Sequence, residues 1–215
     1  MAIAFDATTE SSVSGSSHTY SHTCTGSDLN LVIGFTVYGG STDRVTSVTY
    51  NGVSATRINS SVEPLGGAVS YLYLLTAPAT GANNVVITLN QSELIQSSAS
   101  SYTGTLQSSQ PDQNDTHSVN GASTTTSITT TTDDDWLVGY ANNVSGRTYS
   151  AGSNTEYRSA VNNYGAFDSN ADQSPAGSFS CTLTLSSAGR SSMCLMGLKP
   201  AAGGGGQNSS FLKFM

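Results

Sequence analysis

The chain has 215 residues, a formal net charge of −7 and only 10% charged residues, where an average globular protein carries about 25%. Its basic residues, Arg44, Arg57, Arg147, Arg158, Arg190, Lys199 and Lys213, are scattered. A nucleic-acid face needs clustered cations to displace counterions from phosphates, so nucleic acid and anionic membranes are excluded as partners.

A chain of this length can bury roughly 70% of its unfolded surface and needs no metal or disulfide to fold. Cys24, Cys181 and Cys194 are too few and odd in number for a disulfide framework. The opening MAIAFDATTE has no basic region and meets Asp6 at once, so no secretory signal peptide is expected and folding in a cytoplasm is. No apolar run approaches the roughly 20 residues of a membrane span.

In chain order, residues 2–5 read as a short strand, 6–16 as a Ser/Thr loop and 17–24 as a second strand. Residues 28–38, DLNLVIGFTVY, are the clearest strand. Leu29, Leu31, Ile33, Phe35 and Val37 alternate, so one face is uniformly apolar. Residues 45–50 and 53–58 flank Asn51-Gly52, the pair that a type I′ hairpin turn favours. Residues 68–76, AVSYLYLLT, are apolar on both parities, which predicts a strand covered on both faces. Strands follow at 85–89 and 97–103, then a polar loop at 106–115. Residues 116–120 and 124–132 are weakly apolar but rich in β-branched Thr, which predicts an exposed edge strand. Trp136, Val138 and Tyr140 alternate in a core strand over 136–141. Short strands are expected at 147–150, 156–161 and 165–168, and a closing hairpin over 178–185 and 192–198. About a dozen short strands with Gly/Asn/Pro punctuation predict an all-β, two-sheet antiparallel β-sandwich of jelly-roll or immunoglobulin-like type over residues 1–199.

Residues 200–215 differ. A Gly-rich linker, PAAGGGG, ends in a short apolar peptide. It reads either as a frayed terminus or as a tethered anchor in which Phe211, Leu212, Phe214 and Met215 bind a partner.

No catalytic residues emerge. Glu63, Glu93, Glu156, Asp168 and Asp172 show no pairing in sequence, and the nucleophile elbow and phosphate-cradling glycine loop are missing. His18 and His22 would lie about 13 Å apart on a strand, too far to share a metal, and read as a half-buried polar pair. Asp133-Asp134-Asp135 lacks the spaced pattern of a calcium loop and reads as an acidic turn. Cys181 and Cys194 face each other only if the closing hairpin turns between Ser187 and Ala188. Tyr149, Tyr157 and Tyr164 could form a glycan platform if their rings are exposed. No cofactor or metal is expected.

Six phrases carry a resemblance: SHTCTGSDLNLVIGFTV (21–37), VTSVTYNGVSAT (45–56), YLYLLTAPATGANNVVITL (71–89), SYTG (101–104), DDWLVGYA (134–141) and GLKPA (197–201). They resemble a family of Ser/Thr-rich β-sandwich proteins of tailed phages and environmental bacteria. The resemblance implies a non-enzymatic virion structural protein, a capsid decoration or head-fibre subunit assembled in the host cytoplasm and bound to other virion proteins. A homo-oligomer fits it. The alternative is an adhesin that recognises a host glycan or receptor.

Overall fold

The computed structural model describes residues 2–202. The described residues are all-β: β1 (Ala4–Cys24), β2 (Asn30–Tyr38), β3 (Val45–Tyr50), β4 (Val53–Ser54), β5 (Thr56–Val62), β6 (Ala68–Thr76), β7 (Gly81–Thr103), β8 (Asn114–Thr129), β9 (Trp136–Asn143), β10 (Tyr149–Ala151), β11 (Glu156–Tyr157), β12 (Tyr164–Asp168) and β13 (Ser178–Leu198). They form two antiparallel sheets packed together as a β-sandwich. The first half of the chain builds the seven-stranded sheet and the second half the six-stranded one.

Each sheet is organised by a long two-stranded ribbon. In the first, β1 pairs with β7 from Ala4↔Thr103 to Cys24↔Gly81. The ribbon bends at the irregularity between Gly15 and Ser17 and doubles back on itself. The proof is side chains reaching across the fold. His22 Nδ1 bonds the Thr9 hydroxyl of its own strand at 3.0 Å, and its Nε2 bonds the Ser101 hydroxyl at 3.1 Å. The sheet therefore has an inner leaf (residues 4–15 of β1, 93–103 of β7, and β2, β6 and β5) and an outer leaf (17–24, 81–88, β3 and β4). Leu31, Ile33, Phe35, Tyr71 and Ile95 of the inner leaf pack with Val48, Val85 and Ile87 of the outer one. The ribbon is thus folded over a core of its own.

The second half repeats the scheme. The pairs β1–β7, β2–β7, β3–β7, β2–β6 and β5–β6 recur as β8–β13, β9–β13, β10–β13, β9–β12 and β11–β12. Its own core holds Leu137, Tyr149, Phe167, Cys181, Leu183 and Leu195. The two inner leaves then stack through a middle layer in which Val32, Leu72, Leu74 and Tyr102 meet Val138, Tyr140, Cys194 and Met196. The central strands of the inner leaves, such as β2 and β6, are thus covered on both faces, which is why β6 is apolar on both parities.

Several expectations are corrected. The loop at 6–16 is part of β1, and the separate strands at 85–89 and 97–103 are one strand, β7. The closing hairpin is the single strand β13, so Cys181 and Cys194 sit in different cores and both are free. Ser186–Gly189 looked like a turn because its residues are small. It is instead the irregularity where β13 bends between Thr184 and Gly189. The Asn51-Gly52 turn is present, with φ of 50° and 77° joining β3 to β4.

Candidate functional site

Charge is sorted by this architecture. The outer-leaf stretches 17–24, 45–50, 53–54, 81–88, 123–129, 149–151 and 178–185 contain no Asp, Glu, Lys or Arg. Strand alternation turns Tyr20, His22 and Cys24 inward, so Ser17, Thr19, Ser21 and Thr23 face outward and are exposed. In the second unit Thr124, Thr126 and Ile128 are buried, whereas Ser123, Thr125, Ser127 and Thr129 are exposed. Their neighbours Ser180, Thr182 and Thr184 on β13 are half-buried, and Ser150 on β10 is exposed.

These hydroxyls form ladders. Thr125 and Thr182 share a hydrogen bond at 2.9 Å, Ser127 and Ser180 at 2.7 Å, and Ser150 and Thr184 at 2.6 Å. A hydroxyl offers one donor and two acceptor sites, so each keeps capacity for an external partner. The result is two neutral, hydroxyl-lined faces on opposite sides of the stack.

The buried charges lie at the seam between the units and at their ends. Asp168 is fully buried. Arg158 donates to it twice, Nε to Oδ2 at 2.8 Å and Nη2 to Oδ1 at 3.0 Å, and the Tyr102 hydroxyl of the other unit donates to Oδ2 at 3.1 Å. The Arg158 guanidinium also lies 4.4 Å from the Phe5 ring centre. Burial raises the Asp168 pKa even though Arg158 opposes the shift. On the far side, buried Glu63 of the first unit accepts from Arg190 of the second at 3.1 and 3.2 Å. Between them, Tyr38, Gln96 and Asn142 are linked across the seam, Tyr38 donating to Gln96 Oε1 at 2.6 Å and Asn142 Nδ2 to the same atom at 2.9 Å. These contacts clamp the two halves into one block.

A second acid pair escaped sequence reasoning. Asp135 is fully buried, and among the described residues neither of its carboxyl oxygens has a hydrogen-bond partner. It lies against Asp112, beside the Gly197 backbone. Burial, then the neighbouring Asp112, pushes the Asp135 pKa up to about 8, with Lys199 opposing. For Asp112, burial works toward a higher pKa. Hydrogen bonds from the Thr131 side chain and amide outweigh it and hold the pKa below the usual value. Asp135 therefore carries the proton and Asp112 the charge.

The folded state keeps that proton up to about pH 8, whereas an unfolded Asp loses it near pH 4. Stability from this group is fully present below the unfolded value and is lost as pH rises through the folded one. Asp135→Asn keeps the shape of the side chain and removes the titration. It is expected to stabilise the protein at pH 8 by on the order of 2–4 kcal/mol and to leave stability at pH 4 nearly unchanged. Chemical denaturation at both pH values measures this, and an equal shift at each would contradict the assignment.

Of the expected site residues, Tyr149 and Tyr164 are buried. Tyr149 shares a hydrogen bond with Ser191, and Tyr157 is half-buried with its hydroxyl donating to the Val161 carbonyl at 2.8 Å. The glycan platform of three exposed rings is therefore corrected, because strand parity turns these rings into the two cores. His18 and His22 are buried fully, beyond the half-burial expected, and burial lowers the His22 pKa to about 4. Asp133 does lie in a turn, accepting from the Ala176 amide at 2.7 Å. Phe211, Leu212, Phe214 and Met215 lie outside the described residues.

An open cleft of about 550 Å³ is lined by Ala2, Leu106, Thr132, Asp134, Asp172 and residues 200–202, where the chain leaves β13. It borders neither outer leaf. The two outer faces are the candidate binding surfaces. Comparison with protein-family models, curated proteins and solved structures finds no match to this chain.

Proposed function

We propose that this protein is a non-enzymatic structural protein of a virion, a capsid decoration or head-fibre subunit held by contacts with neighbouring virion proteins. The observation that carries the structural role is the sorting of charge: both outward faces are neutral, and the buried charged groups act within the block. Desolvating hydroxyls costs far less than desolvating ions, and the cores of protein interfaces are depleted of charge. Opposed neutral faces let one subunit touch two neighbours. The virion setting comes from the resemblance of the sequence phrases, and the peptide carrying Phe211, Leu212, Phe214 and Met215 is a further anchor in this reading.

The hydroxyl ladders also suit a neutral glycan, so an adhesin is the second reading, with hydroxyls in place of aromatic rings as the contact. The test adds purified protein to particles assembled without it and follows co-sedimentation. Saturable binding is expected, and glutamate at Thr19 or Ser150 should weaken it with unfolding temperature unchanged. Absence of particle binding together with retention on a neutral polysaccharide column would replace the first reading by the second.

A further inference from the structure

Sheet edges offer unpaired N–H and C=O groups to any strand that can reach them. Most edges of this fold are blunted. β4, β10 and β11 are two or three residues long. β5 carries Arg57 and a bulge between Arg57 and Asn59. The first part of β1 carries Asp6 and Glu10 and a bulge between Phe5 and Ala7. The first part of β8 lies against β5, where Ser61 donates to the His117 carbonyl at 3.1 Å.

Among the described residues, two edge stretches remain regular and uncharged, 17–24 of β1 and 123–129 of β8. Each ends against a carboxylate: Asp6 accepts the Thr25 amide and Asp112 accepts the Thr131 amide. The second lies in a run free of Asp, Glu, Lys, Arg and Pro from residue 116 to 132, as the first does from 11 to 27. The second is the more β-branched, with Thr124, Thr125, Thr126, Ile128 and Thr129 against Thr19 and Thr23.

We propose that residues 123–129 of β8 pair with the same stretch of a second copy of this chain, antiparallel and two-fold symmetric, joining the two outer leaves into one sheet. The charge pattern favours a second copy. Two chains of net charge −7 repel, and they can approach closest where neither carries an ion. An antiparallel edge is complementary to itself, as a two-fold contact requires. Centred on Thr126, the pairing sets Thr125 opposite Ser127 of the partner copy. That repeats the hydroxyl pairs Thr125 and Ser127 already make with β13. The inference rests on the structural role proposed above and names a partner for it.

The test is sedimentation velocity of the full chain across a wide concentration range. A monomer–dimer equilibrium is expected. The double variant Thr125→Lys, Ser127→Lys sets like charges opposite each other at exposed positions and should weaken dimerisation about tenfold or more. Its unfolding temperature at low concentration should stay near that of the wild type. Ser21→Lys, on the matching edge of the other unit, should leave the dimer intact. A wild type that stays monomeric overturns the pairing, as does a dimer sensitive to Ser21→Lys but not to the double variant. A monomer that still co-sediments with particles sinks the pairing alone, whereas a dimer that ignores them sinks the virion role.

Discussion

Replacing Arg158 with methionine is expected to cost about 3–5 kcal/mol at neutral pH, because it strands a buried carboxylate without its cation. Asp168 would keep only the Tyr102 hydroxyl and the Asn170 amide as donors. For a chain of this size that is a fall of roughly 10–15 °C in unfolding temperature. The pH dependence gives the loss a signature. Burial already raises the Asp168 pKa against the pull of Arg158, so removing Arg158 raises it further. The folded variant then holds a proton that the unfolded chain releases. Its stability is preserved in acid and falls as pH rises through the folded pKa. Thermal melts in mildly acid and in neutral buffer should show a deficit that grows toward neutrality. Tyr102→Phe removes one hydrogen bond across the seam and should cost only about 1 kcal/mol. If Arg158→Met melts with the wild type at neutral pH, Arg158 does not neutralise the buried Asp168.

The second large effect is expected at Gly34. This glycine sits mid-strand in β2, where the inner leaves meet. A Cβ there would stand 2.2 Å from Tyr140 Cβ and 2.4 Å from its Cγ. Tyr140 cannot swing away, since it is fully buried and its hydroxyl donates to the Gln96 carbonyl at 2.8 Å. Gly34→Ala should therefore push the inner leaves apart, at a cost of about 3 kcal/mol or more. The control is Gly121→Ala on β8, whose Cβ would meet its nearest neighbour at an ordinary 3.4 Å. It should stay within about 0.5 kcal/mol of the wild type. Equal unfolding temperatures for both variants would mean that the leaves are less tightly apposed than the Tyr140 contact requires.

The outer faces were half legible in the chain. Alternating Ser and Thr at 17–23 and 123–129, and the low overall charge, are plain in the residues. Which parity points outward, and that 178–184 shares a leaf with 123–129, depends on register with a distant strand. The Asp112–Asp135 pair and the Arg158–Asp168 clamp were illegible for the same reason. Their members are brought together by turns and strands far from either residue.

Period-two apolar patterning was enough to make β2 and β9 strands, a run apolar on both parities to make β6 one, and Asn51-Gly52 to place a hairpin, because all of these depend on neighbours along the chain. Low hydrophobicity at 6–16, 90–96 and 186–189 suggested breaks, and the backbone runs through each of them as strand. Residues 7–15 and 93–101 are held by ladder pairing with each other, and 186–188 carry β13 across its irregularity, none of which local composition records. Side-chain alternation is local, but the choice of face belongs to the fold: the doubling of each ribbon decided that Tyr149 and Tyr164 are core, that the two cysteines are separated, and that the hydroxyls look outward.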